Sequence, residues 1–171
     1  MDTIDVYGPP DARVRPPALK LDRRAIPWWM LRNLLLCGIP LTGFIVAAAL
    51  WEPLRVWLLA PTIVLAVLLL VKVALEPFWR FRVHRWEITE RATYASNGWL
   101  VVEWRVAPTS RIQTVDALRG PLEQLFGLST LRVTTASSYG AISIRGLDRA
   151  AAEAAVARLA IVAELEEGDA T

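Results

Sequence analysis

The chain has 171 residues, of which 54% are hydrophobic and 21% charged, with a mean hydropathy of +0.36 and a formal charge of +2. This apolar balance is too high for an ordinary soluble domain and too low for a protein that lies wholly within a membrane. The single cysteine, Cys37, excludes an internal disulfide and a multi-cysteine metal site.

The N-terminal segment, residues 1–27, has few large apolar side chains and contains five prolines. Proline removes backbone donors and biases its neighbours toward extended conformations. Because the segment offers little apolar surface to offset the entropy lost on ordering, the sequence predicts a flexible, proline-rich cytoplasmic tail.

Two long apolar runs follow, WWMLRNLLLCGIPLTGFIVAAALW and VWLLAPTIVLAVLLLVKVAL. The first holds no charge after Arg32, and the second holds none before Lys72. About 20 apolar residues in a helix are enough to cross the bilayer core. The sequence therefore predicts a transmembrane helical hairpin over residues 28–79, with helices at about 28–51 and 55–76.

Basic residues set the predicted orientation of this hairpin. Six of them precede or open the first helix, four close the second, and the linker holds only Arg55. The positive-inside rule then places both termini in the cytoplasm, with the chain crossing the cytoplasmic membrane twice. Lys72 is expected to pair with Glu76, which lies one helical turn later.

Residues 80–166 alternate between apolar and other side chains, which indicates antiparallel strands with one buried face. In the run LVVEWRV, the alternation puts Leu100, Val102, Trp104 and Val106 on one face, which is expected to be the buried one. Strands are predicted near residues 82–89, 92–96, 99–107, 111–118, 129–136 and 141–145.

Two helices complete this predicted domain. Leu122, Leu125 and Phe126 share one side of a short helix, and they are expected to close one end of the strand bundle. A longer C-terminal helix is predicted to begin after Asp148, which suits the N-cap position. Residues 167–171 are predicted to form a disordered tail.

The fold class that follows is an α+β membrane protein, in which a two-helix transmembrane hairpin precedes a β-barrel or β-sandwich with a C-terminal capping helix. This is the pleckstrin-homology (PH) architecture. The segments RWEIT, YASNGWLVVEWRV, SRIQTVDALRGPLEQLFGLSTLRV and AISIRGLDRAAAEAAVARL strongly resemble bacterial PH-like membrane proteins of the YdbS-like family. The resemblance covers about residues 28–165 and implies this fold, in the bacterial inner membrane. It implies no particular chemistry.

Residue patterns typical of catalysis are absent from the sequence. His84 is the only histidine and is expected to be a partly exposed strand residue, and no glycine-rich phosphate loop, metal-ligand cluster or nucleophile elbow is found. Residues 80–171 contain 11 basic and 11 acidic residues, so 11 − 11 = 0, which does not fit nucleic-acid binding. The sequence predicts no enzyme activity, cofactor, metal or nucleic-acid partner.

The predicted function is a non-enzymatic, membrane-anchored protein-interaction or scaffold module, of which an accessory subunit of a membrane complex is one form. Its predicted partners are the lipid bilayer and either other membrane proteins or a second copy of the chain. The alternative is a sensor of the anionic membrane surface that contacts lipid through Arg80, Arg82 and Arg85. Specific binding of an inositol headgroup is not expected, because the loop between the first two predicted strands holds Glu90 and only one cation, Arg91.

Overall fold

The computed structural model describes residues 17–89, 91–136 and 141–169. The predicted tail over residues 1–16, Glu90, residues 137–140 and the last two residues therefore lie outside the described residues. The described helices are α1 (Ala25–Leu50), α2 (Glu52–Ala74), α3 (Glu76–Val83), α4 (Pro121–Phe126) and α5 (Arg149–Asp169).

The first two helices form the apolar hairpin. α1 and the segment Glu52–Val83, which combines α2 and α3, are each long and apolar enough to cross a membrane. Proline lies in the first turn of both α2 and α3, where its missing N–H breaks no helical hydrogen bond. The prolines thus allow the chain to restart a helix after Trp51 and after Leu75. The helix predicted at about 55–76 corresponds to α2, and α3 lies beyond it, where the sequence predicts no helix and where the strand predicted at 82–89 begins only at Arg85.

The strands form two antiparallel sheets. The strands are β1 (Leu19–Lys20), β2 (Arg85–Ile88), β3 (Ala92–Gly98), β4 (Val102–Pro108), β5 (Ile112–Leu118), β6 (Leu128–Thr135) and β7 (Ile142–Asp148). One sheet has the order β1-β2-β3-β4 and the other β5-β6-β7, so the domain is a sandwich of two sheets and not a closed barrel. α5 packs against the second sheet, and the predicted α+β class with a C-terminal capping helix is confirmed.

The structure differs from the predicted tail over residues 17–27. β1 pairs with β2, and Leu21 and Ala25 are buried in the same core as Trp28 and Trp29. α1 therefore begins inside the β-domain and continues from there into the apolar hairpin. Composition could not indicate this, because the partner surface lies more than sixty residues away in β2 and further away in β7.

Gly146 of β7 allows this close docking of α1. Its φ is +82°, a conformation that other residues rarely adopt, and an added Cβ would lie 2.9 Å from the Cβ of Ala25. The carbonyl of Gly146 accepts a hydrogen bond from the backbone N–H of Asp22 at 3.3 Å. The backbone of β7 is thus held directly against the first turn of α1.

The apolar face of β4 points away from the core, and the prediction that it is buried is wrong. Val102, Trp104 and Val106 are 43–45% exposed, whereas Ala107 is buried. Arg105, on the inner face, donates a hydrogen bond to the carbonyl of Ala141 across the sandwich, at 3.1 Å. Alternation shows which residues share a face, but it does not show which face packs against the second sheet.

The inner face of the first sheet is made of small side chains. Thr93 and Ala95 of β3 are buried there, level with Ala107 of β4. Short side chains on one sheet leave room for the larger ones that β6 and β7 contribute, such as Leu131 and Ile144. The space between the sheets is therefore filled without the apolar residues of β4.

α4 closes the sandwich only in part. Leu122 and Phe126 are half-buried against the core, as expected, but Leu125 is 71% exposed and the prediction of its burial is wrong. The i, i+3, i+4 spacing places these three side chains on one side of α4, but the core covers that side only at Leu122 and Phe126. Asp148 caps α5 as predicted, since its Oδ2 accepts the N–H of Ala150 at 2.9 Å.

Candidate functional site

A buried ion-pair cluster joins the apolar hairpin to the β-domain. Glu76, the first residue of α3, is buried, and its carboxylate lies 2.9 Å from both Lys72 Nζ and Arg80 Nη1. The predicted pairing of Lys72 with Glu76 is confirmed. A buried carboxylate held between two cations is stabilising only as a complete set, so this cluster fixes the end of α2 relative to α3.

Trp29 connects the same cluster to α1. The guanidinium carbon of Arg80 lies 5.3 Å from the centroid of the Trp29 ring, which is a cation–π arrangement. The imidazole of His84 lies against the same indole, with ring centroids 5.4 Å apart. Trp29 is itself buried in the core of the β-domain. One indole of α1, the helix that leads into the apolar hairpin, therefore contacts Arg80 and His84 of the segment that leads out of it.

His84 is buried, and the prediction that it is a partly exposed strand residue is wrong. It lies at the C-terminal end of α3, where its N–H donates to the carbonyl of Arg80 at 2.7 Å. Its Nδ1 lies 2.9 Å from the same carbonyl, which can only accept, so Nδ1 carries the proton. Burial, with a further contribution from the Arg80 charge, lowers the pKa of His84 to about 4. The imidazole is therefore neutral at neutral pH.

An open cleft of about 410 Å³ lies between the beginning of α1, α4 and the strands β6 and β7. Three arginines line it, Arg32 of α1, Arg132 of β6 and Arg145 of β7. Thr130 pairs with Arg145 and Arg132 with Ser143, so the two strand arginines are diagonal neighbours on one face. We refer to this group as the arginine cleft.

The arginines of this cleft have no carboxylate partner within ion-pair distance in the part of the chain that the structure describes. Glu123 also lines the cleft, but its carboxylate is occupied by hydrogen bonds from the Gly120 N–H and the Thr130 hydroxyl. The cleft therefore holds three guanidinium groups and one carboxylate, and this excess of positive charge around an open space favours a phosphate or carboxylate group as ligand.

The arginine cleft opens at the height where the apolar hairpin begins. Asn33 Nδ2 donates to the backbone carbonyl of Lys72 at 2.6 Å, so the entry to α1 and the exit from α2 lie at one level. Arg32 immediately precedes that level. Beyond it, α1 has no charged residue before its end, and α2 has none until Arg55 and Glu52 at the far end.

The three arginines selected from the sequence have different positions. Arg80 belongs to the Glu76 cluster, Arg82 is exposed on α3, and Arg85 is half-buried in β2. None of them lines the arginine cleft. The sequence did contain a signal for two of the cleft residues, because Arg132 and Arg145 alternate with core residues on neighbouring strands. Their meeting with Arg32 depends on the docking of α1.

The chain is similar in sequence to a family of bacterial PH domains and to a transmembrane protein. The sequence profile of the family described as bacterial PH domain matches residues 34–161, which is more than half of the chain. The chain is also similar to the UPF0699 transmembrane protein YdbS of Bacillus subtilis (strain 168), with 27% identity in an alignment that covers 58% of this chain and 82% of that protein. No solved structure matches the chain.

We expect the burial of His84 to make the stability of the protein depend on pH. The unfolded chain binds a proton at His84 near pH 6.5, whereas the folded protein does so only near pH 4. Between these two pH values, the unfolded state therefore binds more protons than the folded state. The free energy of unfolding is then highest above pH 6.5, where His84 is neutral in both states, and it decreases as the pH falls toward 4. The loss amounts to about 3 kcal/mol at most.

Thermal unfolding of the detergent-solubilised protein between pH 7.5 and pH 4.5 measures this effect. Carboxylates titrate in the same range, so the informative quantity is the difference between the protein and its His84→Gln variant, which keeps a donor for the Arg80 carbonyl. The difference in unfolding temperature should change with pH below 6.5. Parallel pH profiles for the two proteins would show that His84 is not held neutral by burial.

Proposed function

We propose, because this chain belongs to the bacterial PH domain family, that it acts as a non-enzymatic, membrane-anchored protein-interaction module. It is a membrane protein with two candidate transmembrane helices and a PH-like domain. In the proposed function, the hairpin holds the domain at the membrane surface, and the domain binds a second copy of the chain or another membrane protein. An accessory subunit of a membrane complex would work in this way.

The outward apolar face of β4 is the observation that carries this proposal. Val102, Trp104 and Val106 form a continuous row on one face of the strand, each with nearly half of its surface exposed. A tryptophan between two valines is a typical anchor of protein interfaces, because it buries a large area at a small cost in side-chain entropy.

The position of β4 in its sheet supports the same function. β4 is the last strand of the four-stranded sheet, so its outer edge is not paired within that sheet. Exposed edges can pair with a strand of a neighbouring molecule. Because α1 is continuous between the β-domain and the hairpin, the edge is held at a constant height above the membrane. Two copies in one membrane would therefore meet at matching levels, and confinement to a plane raises their effective concentration.

The proposed orientation has both termini in the cytoplasm, and the distribution of basic residues supports it. Ten basic residues flank the hairpin at its open end, whereas Arg55 alone lies in its linker. In a variant with Cys37→Ser, a cysteine at Glu52 should react in intact cells with a membrane-impermeant thiol reagent. A cysteine at Asp169 should react only after the membrane is permeabilised, and the reverse pattern would invert the orientation.

Photo-crosslinking from β4 tests the protein contact. We expect a photoreactive phenylalanine analogue at Trp104 to give a crosslinked product in native membranes, at twice the mass of the chain for self-association or at another discrete mass for a different protein. The same analogue at Leu125 is the matched control, because Leu125 is also an exposed apolar residue but lies on α4. Trp104→Glu should abolish crosslinking from a probe at Val106.

The protein-contact proposal fails if a folded protein with the probe at Trp104 gives no product above that obtained at Leu125. Folding of each variant can be checked by its unfolding temperature in detergent, which should change little because the outer face of β4 does not contribute to the core. Trp104→Glu places a charge at an exposed position, and substitutions of this kind usually have only a small effect on stability.

A second candidate function, sensing of the anionic membrane surface, is favoured by the arginine cleft. Its three arginines lie beside the point where α1 enters the apolar hairpin, at the height expected for lipid headgroups. The cytoplasmic leaflet is anionic, and each basic side chain near it contributes about 1 kcal/mol of attraction. The cleft would hold the phosphate of an anionic lipid, in place of the Arg80, Arg82 and Arg85 contact that the sequence alone favours.

Thermal unfolding with a short-chain phosphatidylglycerol tests this second function. A ligand that binds only the folded state raises the unfolding temperature with its concentration, and phosphatidylcholine of the same chain length is the control lipid. The double variant Arg132→Gln and Arg145→Gln should lose most of the difference between the two lipids. The matched double variant Arg111→Gln and Arg158→Gln, at exposed positions elsewhere, should keep it. Equal responses of both double variants would exclude the cleft.

A further inference from the structure

The turn between β3 and β4 presents apolar side chains to the outside. Leu100 is 81% exposed and Val101 is 79% exposed, and the half-buried Trp99 precedes them. Turns at the surface of a soluble domain are normally polar, so three consecutive large apolar residues at this place need a reason. We refer to residues 99–101 as the apolar tip.

The backbone of the turn holds this tip outward. Gly98 has a φ of +135°, and an added Cβ there would overlap the carbonyl oxygen of Val101. Only glycine therefore fits the close return of the chain into β4. Because the turn is this tight, Leu100 and Val101 cannot fold back over the sheet, and their exposure follows from the geometry of the hairpin.

The apolar tip lies beside the C-terminal end of α2, where the chain leaves the apolar hairpin. The ammonium group of Lys72 is 5.6 Å from the centroid of the Trp99 ring. The backbone carbonyl of Lys72 also accepts a hydrogen bond from the side chain of Asn33. Both residues lie where the charge-free parts of α1 and α2 begin. Lysine at the end of a membrane helix and tryptophan next to it are the residues that occupy the boundary between headgroups and hydrocarbon. The tip is therefore at the height of the bilayer surface.

We propose that the apolar tip inserts into the bilayer and forms a third membrane contact of this chain, in addition to the two helices. Trp99 lies at headgroup level beside Lys72, and Leu100 and Val101 enter the acyl region of the leaflet on the side of the β-domain. The occupant of this exposed surface is thus lipid. Burial of apolar side chains at the interface is the physical driving force, as for other interfacial anchors.

This contact would prevent the β-domain from tilting away from the membrane. It is independent of the partner proposed for β4, because residues 99–101 precede the strand and do not include Val102, Trp104 or Val106. It is also independent of the arginine cleft, because insertion depends on apolar burial and not on charge. Failure of either proposed function therefore leaves this inference testable.

Depth-dependent fluorescence quenching of the full chain in nanodiscs tests the insertion. In a Cys37→Ser background, a single cysteine at Leu100 carries an environment-sensitive fluorophore, and a second variant carries it at Val101. Leu36→Cys, on the exposed side of the apolar part of α1, is the membrane reference. Leu125→Cys, an exposed apolar position on α4, is the matched control from the same domain.

We expect the probes at 100 and 101 to show blue-shifted emission, strong loss of fluorescence with lipids spin-labelled near the acyl carbonyl, and little loss with aqueous iodide, as the probe at 36 does. The probe at 125 should show the opposite pattern. Strong iodide quenching at both 100 and 101, equal to that at 125, would overturn the proposal. Protection from both quenchers would also overturn it, because the tip would then be covered by protein.

Discussion

The burial of Trp28 and Trp29 in the β-domain is the interaction on which the rest of the structure depends. Both indoles belong to the first turns of α1, and the same helix continues for about six more turns through the apolar hairpin. Because α1 begins inside the core of the β-domain, it cannot rotate or tilt relative to that domain. The glycine at position 146 makes this possible, because its backbone replaces a side chain at the contact with α1.

The Glu76 cluster provides the second connection between the two parts. It ties the end of α2 to α3, and Arg80 and His84 of that segment both pack on Trp29. The hairpin is thus attached to the domain at its entry and at its exit, around one indole. Lysine and arginine on opposite sides of a buried carboxylate also explain why the junction tolerates charge so close to the apolar helices.

Two rigid attachments give each surface of the domain a fixed height above the hairpin. The arginine cleft includes Arg32, next to Asn33, and the apolar tip lies beside Lys72, whose carbonyl accepts from Asn33. Residues with chemistry suited to lipid are thus different from the outward residues of β4, whose chemistry suits protein. Lipid contact and protein contact could therefore operate in the same molecule without competing for the same residues.

The two apolar helices, the strand periods, the pairing of Lys72 with Glu76 and the cap at Asp148 could all be predicted from the sequence, because each of them depends on residues a few positions apart. The resemblance carried by its motifs also indicated the family. The tertiary structure was needed to show that the apolar face of β4 points outward, that His84 is buried, and that Leu21 and Ala25 belong to the core. It alone brought Arg32 to Arg132 and Arg145. These features depend on which surface packs against which between segments far apart in the sequence, and local periodicity carries no information about that choice.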